Sequence, residues 1–199
     1  GADRAGREPW RSAAALLWAA GRPAGFAPEL LRQAWEKRIN CPASSAAGRL
    51  FDAAAALIGV CREASYEGEG PIRLEALATT AEAGIPLPLE RDTDGILRCD
   101  WAPLLPMLTD AAQSQAERAG RFHAALADAL AAQAERLRSE TGANDVGLTG
   151  GVFQNRLLTR LACDKLAWRG FTVHLPERIP VNDAGISFGQ TMEYLCRHE

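Results

Sequence analysis

Through the first half of the chain, apolar residues recur at helical spacing between glycine and proline breaks. Trp10–Ala20 is rich in alanine and leucine, with Pro9 in a first helical position and Gly21 at the C-terminal stop, and predicts one helix. Pro28 opens a second helix running to about Asn40. Ser44 and Ser45 are placed to cap a third over about Ala46–Val60, and a fourth runs from Pro71 to about Ala83 with Gly84 as its stop. A long helix covers about Gln113–Glu140, where Phe122, Leu126, Leu130 and Leu137 fall near helical spacing. His123, on that helix, reads as a surface or boundary residue without a ligand role.

The pattern changes twice. Pro86–Glu90 and Ile96–Trp101 are short apolar runs either side of Asp-Thr-Asp-Gly, and Asp94-Gly95 is a strong hairpin signal. The last sixty residues alternate: Val146–Leu148 as a short buried strand, Asn155–Trp168 as a helix, Phe171–Leu175 as a strand, and Asp183–Arg197 as a closing helix. Strand, helix, strand, helix implies a parallel pair joined by a crossover. No internal repeat or low-complexity tract interrupts the chain; the Gly21–Gly25 loop and the Arg91–Asp94 turn are connectors within one unit.

Composition narrows the class. With 47% hydrophobic and 24% charged residues the 199-residue chain reads as soluble and globular, and its length suits one domain or one lobe of a larger enzyme. The net charge of −3, without a basic stripe, gives nucleic acid little to bind. Ala13–Ala20 is too short to cross a bilayer. The five cysteines are scattered, with no C-x-x-C pair, and read as reduced thiols of a cytoplasmic protein. The start at Gly1, without methionine, fits an excised piece of a longer polypeptide, and removal of a tag would give the same start.

Three segments can carry chemistry. In Val146-Gly-Leu-Thr-Gly-Gly-Val-Phe-Gln-Asn155 a strand ends in Gly150-Gly151 and a helix begins soon after. Adjacent glycines let another group approach the backbone, and a helix N-terminus offers unpaired amides to a phosphate. Asn155 adds a donor and an acceptor able to read a ribose or base edge. The plainer reading is a tight turn that needs glycine for geometry alone.

In Pro180-Val-Asn-Asp-Ala-Gly-Ile-Ser-Phe-Gly-Gln190, Asn182 or Asp183 serves as an ordinary N-cap, or Asp183 holds a metal ion against phosphate oxygens at a strand's carboxyl edge. The two loops, each following one of the adjacent strands, can face one another. In Ser44-Ser-Ala-Ala-Gly-Arg-Leu-Phe-Asp-Ala53, Gly48 inside a helical run costs about 1 kcal/mol against alanine, which close approach of a ligand or of another helix would offset. Asp52 is either solvated on an amphipathic helix or buried, and a buried carboxylate needs partners such as ribose hydroxyls. No cysteine has an adjacent base or cationic setting that would mark a covalent nucleophile.

Taken together, Ser44–Ala53, Tyr66-Glu-Gly-Glu-Gly70, Thr149–Asn155 and Asn182–Gln190 resemble the C-terminal half of the hydrogenase-maturation carbamoyltransferase family (HypF). Arg7-Glu-Pro-Trp-Arg11 resembles the way that family enters this region. The resemblance covers nearly the whole chain in order. It implies an α/β fold of the actin-like ATPase (ASKHA) type, a helix-rich lobe with a small mixed sheet, related to the threonylcarbamoyl transferases of tRNA modification. Residues 1–199 would then be the C-terminal portion of a Kae1-like carbamoyltransferase domain.

Carried over residue by residue, the resemblance puts Asp52 on the nucleotide's ribose, Gly68 near the nucleotide, Gly150, Gly151 and Asn155 along the adenylate, and Asp183 on a divalent metal (Mg, Zn or Fe). There are departures: Ala184 stands before Gly185 where the family often has two glycines, and Glu69 follows Gly68 where glutamine is usual. The family also uses two upstream histidines spaced His-x-x-x-His; His123, His174 and His198 are far apart, so the metal-histidine segment lies outside this sequence.

The implied enzyme takes carbamoyl phosphate and ATP, forms carbamoyl-adenylate, and transfers the carbamoyl group to the C-terminal cysteine of a partner, the maturation dehydratase HypE. That group becomes a cyanide ligand of a nickel–iron hydrogenase. Nucleic acid and membrane are not expected partners, and this chain by itself is expected to bind nucleotide weakly and turn over little. Two other readings stay open: a carbamoyl or threonylcarbamoyl transferase acting on a small molecule or tRNA, and a non-catalytic module that docks a partner protein.

Overall fold

The computed structural model describes residues 2–78 and 83–198. The first half is helical, as expected. Helix α1 is Ala2–Arg7, α2 Pro9–Ala19, α3 Glu29–Glu36, α4 Ala47–Ile58 and α5 Glu69–Leu77. Ser44 and Ser45 do not cap α4. Ala46 holds that position with no side-chain cap, and the Ser44 hydroxyl instead accepts from the Ala46 amide ahead of the helix. Gly59 closes α4 in the left-handed conformation at φ 87°, which costs glycine nothing sterically. The α3 segment stops at Glu36, short of the expected Asn40, and Arg38 and Asn40 turn to positive φ just beyond it.

Helix α5 starts two residues before Pro71 and ends at Leu77. Residues 79–82, where that helix was expected to continue, lie outside the described part. Gly84 is not a helix stop but a packing contact. A Cβ there would lie 2.7 Å from the Ala125 amide and 2.9 Å from the Ala124 carbonyl carbon, so only glycine lets this strand of chain rest against the next long helix.

The Asp94-Gly95 signal yields its hairpin. Strands β1 (Leu89–Arg91) and β2 (Leu97–Cys99) are antiparallel with Glu90 opposite Arg98, and the Asp92 carboxylate accepts from the Asp94 and Ile96 amides to close the loop. A six-residue helix, α6 (Leu104–Thr109), follows; its Pro106 and brevity hide it from a periodicity reading. Helix α7 is Gln115–Thr141. Ser114 and Glu117 form a reciprocal capping box at its start, and Gly142 ends it.

The face that α7 buries is mostly alanine: Ala119, Ala124, Ala125, Ala127, Ala129 and Ala131, with Phe122 and His123. Leu137, expected on the apolar stripe, is exposed. Small side chains let α7 lie close along α8 (Arg156–Trp168), the crossover between the parallel strands β3 (Asp145–Gly147) and β4 (Thr172–His174). Among the described residues the strands form two separate two-stranded sheets, one antiparallel and one parallel, where one small mixed sheet was expected. In β3 only Val146 is half-buried, and the fully buried apolar residues lie just outside the two strands, at Leu148 and Phe171.

The core sits among α4, α5, α6, α7 and α8, around Phe51, Leu74, Leu104, Leu108, Phe122, Leu158 and Leu166. Phe51 and Phe122 meet edge to face, with ring centroids 4.9 Å apart and planes at 86°, the arrangement aromatic quadrupoles favour. The last helix, α9 (Ile186–His198), buries none of its described side chains. Among the described residues, no helix is long and apolar enough to cross a membrane.

Candidate functional site

Asp52 lies on the buried side of α4 and is 3% exposed. One carboxylate oxygen, Oδ2, is buried without a hydrogen-bonding partner among the described residues. The Arg49 Nη2 lies 3.0 Å from it, an ion pair one turn back along the helix, but off the angle of a hydrogen bond. Burial pushes the carboxyl from its ordinary 3.8 up to about 6, against the pull of the Arg49 guanidinium and with a further push from Glu67. A charge held in this condition is costly, and Arg49 offsets it by attraction without satisfying the oxygen's need for a hydrogen-bond donor.

The Tyr66–Gly70 loop closes against Asp52. Gly68 stands at φ 82° as the N-cap of α5, a conformation that favours glycine. A Cβ there would meet nothing within 4 Å, so the backbone angle and not crowding calls for glycine. Gly70 is the crowded one: a Cβ would come 3.2 Å from that of Ala55 and 3.7 Å from Asp52 Oδ1. The Glu69 carboxylate is spent locally, accepting from the Ser65 amide and pairing with Arg73. Gly48 leaves open space: no atom lies within 4 Å of where its Cβ would be, so the approach of another helix is not what this glycine serves.

The Gly-Gly turn leaves β3 with Gly150 at φ 106°, passes through a 3-10 turn at Gly151–Gln154, and enters α8. Asn155 does not present a free donor and acceptor. It is 8% exposed, and its amide faces inward: Oδ1 accepts from the Leu158 amide at 2.8 Å as the N-cap of α8, and Nδ2 lies 2.9 Å from His123 Nε2. Nor does the N-terminus of α8 await a phosphate, because Glu75 of α5 accepts from the Arg156 and Leu157 amides at 2.8 and 3.2 Å. An anionic side chain already complements that positive end. The amides of Gly151 and Val152, one turn earlier, take no hydrogen bond among the described residues.

His123 corrects the sequence reading. It is fully buried on α7, with Nδ1 2.7 Å from the Ala119 carbonyl and its ring edge-on to Phe51 at 5.4 Å. Burial lowers its pKa, outweighing the Ala119 hydrogen bond and the Glu75 charge. Phe51 precedes Asp52, and Asn155 ends the glycine turn, so this histidine bridges the two segments. A lone histidine among alanines gives no periodic signal of burial, and its partner is 32 residues away.

The second loop meets the first. The Gly150 amide donates to the Val181 carbonyl at 2.7 Å, and a Cβ on Gly151 would touch that of Asn182 at 4.0 Å. Asn182, not Asp183, is the cap: its Oδ1 accepts from the Ala184 amide at 3.2 Å. Gly185 is required, since a Cβ would stand 2.6 Å from the Pro180 carbonyl oxygen. The Asp183 carboxylate is exposed, with no ion pair or side-chain hydrogen bond among the described residues. It fits one ligand of a hard cation that keeps waters and phosphate oxygens as its others. Among the described residues, no group of three or more His, Cys, Asp and Glu is placed to hold an ion by itself.

Contacts thus run in series from Gly70 to Asp52, from Phe51 through His123 to Asn155, and from Gly150 to Val181 beside Asp183. Open depressions among the described residues lie elsewhere. One of about 550 Å³ is lined by Ile72, Glu75, Arg156 and Arg160, another, of about 360 Å³, by Asp128, Lys165 and Trp168. None of the six residues named from the sequence lines either.

Comparison with known proteins follows the same outline. Residues 1–190 match the family described as the carbamoyltransferase Kae1-like domain, second subdomain. The chain is similar to the carbamoyltransferase HypF of Rhodobacter capsulatus, 45% identical over 201 residues covering 96% of this chain and 26% of that protein. It is 36% identical to HypF2 of Cupriavidus necator, over 99% of this chain and 28% of the relative. A crystal structure of full-length HypF, in a phosphate- and nucleotide-bound form, superposes with a TM-score of 0.86 at 28% identity, over 96% of this chain and 26% of the other. HypF of T. kodakarensis superposes with a TM-score of 0.80. The chain spans about a quarter of the length of these relatives. It therefore belongs to the HypF carbamoyltransferase family, where it corresponds to the second subdomain of the Kae1-like domain.

Proposed function

We propose that this lobe forms one wall of a carbamoyl-adenylate site, in an enzyme that makes the adenylate from ATP and carbamoyl phosphate. The carbamoyl group then passes to the C-terminal cysteine of a HypE-type partner, for cyanide-ligand synthesis in nickel–iron hydrogenase maturation. The observation that carries the reading is the Asp52 carboxylate, buried beside a glycine loop, with one oxygen that is ion-paired to Arg49 but accepts no hydrogen bond among the described residues. Ribose hydroxyls are the donors it lacks. A relative of the same fold in a phosphate- and nucleotide-bound form supports the ligand class.

Each residue then has a physical task. Asp52 holds the ribose, and Gly68 lets the loop backbone pass beside the nucleotide. Gly150, at positive φ, turns the chain, and Gly151 brings its amide to the adenylate without a side chain in the way. Asn155 acts from behind, fixing the turn. Asp183 supplies a carboxylate to a divalent cation, whose charge when bound would offset that of the phosphate oxygens. In the transfer step the partner's thiolate sulfur forms a bond to the carbamoyl carbon, the bond from that carbon to the adenylate oxygen breaks, and the electron pair leaves with AMP. The lobe contributes by positioning the leaving group and stabilising its charge.

Titrating the chain with ATP or a non-hydrolysable analogue, with and without Mg²⁺, tests this. Saturable binding that Asp52→Ala abolishes is expected. No saturable binding, or binding indifferent to Asp52→Ala, would sink the reading and favour a module that docks a partner protein.

A further inference from the structure

We propose that His123 is a positioning residue for the glycine turn: as a neutral imidazole carrying its proton on Nδ1, it holds the Asn155 amide in the one orientation that caps α8 and sets Gly150–Asn155. This deepens the nucleotide reading above and rests on it only where ligand affinity is concerned.

The donors and acceptors allow a single arrangement. The Ala119 carbonyl can only accept, so the imidazole nitrogen 2.7 Å away, Nδ1, must donate. Nε2 then carries a lone pair and must accept, which assigns the Asn155 atom 2.9 Å from it as the NH₂ group. That leaves Oδ1 facing the Leu158 amide, 2.8 Å away. Turning the Asn155 amide over would set two acceptors against each other at His123 and two donors at Leu158. A fixed polarity therefore runs from the Ala119 carbonyl through the ring to the first turn of α8, in a place with no exposure at the ring.

The neighbours hold the neutral form. The ring lies in T-shaped contact with Phe51 at 5.4 Å and Phe122 at 5.8 Å, uncharged partners that form no ion pair with it. Of the charged groups on the packed elements, Glu75 on α5 acts on the ring and favours the charged form, but burial outweighs it and lowers the pKa. A second proton would sit on Nε2, point at the Asn155 NH₂, and expel the amide from its capping position. Since Phe51 precedes Asp52, the same ring also sets the spacing between the Asp52 helix and the turn.

The test uses the 199-residue chain as wild type, His123→Phe, His123→Gln and Asn155→Ala. Long-range ¹H–¹⁵N spectra report the ring nitrogens, amide exchange reports residues 150–155, and ATP titration reports affinity. The expected wild-type spectrum shows His123 protonated at Nδ1 alone and still neutral as the pH falls below the ordinary histidine value of 6.5. His123→Phe and Asn155→Ala should speed exchange in the turn, and weaken ATP, by about tenfold, the scale of one lost hydrogen bond. His123→Gln, which keeps an acceptor for Asn155, should recover most of both.

A ring protonated on Nε2 would overturn the proposal. So would turn exchange in Asn155→Ala, or in a folded His123→Phe, that matches wild type. If the wild type binds no ATP, the nucleotide reading fails while the spectra and exchange still decide the role of His123.

Discussion

The Gly150 amide and the Val181 carbonyl, 2.7 Å apart, join the loops that leave the two parallel strands. Both loops follow the carboxyl ends of neighbouring strands, where open α/β sheets present ligands. That hydrogen bond brings Gly151 against Asn182, and so places the exposed Asp183 carboxylate at the glycine turn.

Asp52→Asn should make the chain more stable at pH 7.5 and less able to bind nucleotide. Raising a carboxyl from 3.8 to about 6 disfavours its charged form by about 3 kcal/mol. The folded state then binds more protons than the unfolded one between these values, so Asp52 lowers stability as pH rises through that window, and its full cost is present at pH 7.5. That shift is already net of the Arg49 attraction, so the gain from removing the charge is at most about 3 kcal/mol. His123 works the other way. Its lowered pKa contributes stability that is present above the usual 6.5 and lost as pH falls toward the folded value. Urea midpoints from pH 4.5 to 7.5 should therefore drop more steeply toward acid in Asp52→Asn than in wild type. Equal slopes would refute the assignment.

Three glycines should separate by cause. Gly84→Ala drives a methyl into the backbone of Ala124 and Ala125, and Gly185→Ala into the Pro180 carbonyl; each should cost about 1–3 kcal/mol. Gly48→Ala meets nothing and lies in a helix, so it should add about 0.5–1 kcal/mol. Thermal or denaturant unfolding reads all three. On the nucleotide reading, Gly48→Ala should also weaken ATP, because no protein atom accounts for that glycine.

Glu75→Ala should destabilise the chain by about 1–2 kcal/mol, since it strips a carboxylate from two amides at the start of α8. Glu75→Gln keeps an acceptor without the charge and should fall between. Denaturant midpoints at low salt give the comparison, and a Glu75→Gln midpoint equal to that of wild type would mean that the charge contributes nothing.

The types and order of the main elements could be read from the chain, because helical spacing, the Asp94-Gly95 turn and the capping residues of α7 act over a few positions. What escaped acts at a distance. The phosphate-ready N-terminus expected for α8 is filled by Glu75, 81 residues earlier in the sequence. Asn155 spends its amide on a histidine whose burial comes from alanines, which mark no stripe in the chain. The local sequence allows Asp52 to be solvated or buried, and the helices packed around α4 decide for burial.

Asp183→Asn should leave stability within about 0.5 kcal/mol of wild type, as expected for an exposed side chain without partners. It should reduce the Mg²⁺-dependent part of nucleotide binding while sparing the part seen without the ion. A variant that binds equally well with Mg²⁺ would remove Asp183 from the proposed site.

Because α9 hides none of its described side chains, nearly all the apolar burial that holds this lobe together ends before Ile186. The residues named for the nucleotide then fall into two tiers: Asp52 and Asn155 belong to the cooperative core, while Asp183 rides on a segment whose opening costs little of that burial. Hydrogen exchange should rank them in that order. Immobilising the outer tier would then be charged against whatever affinity its carboxylate adds.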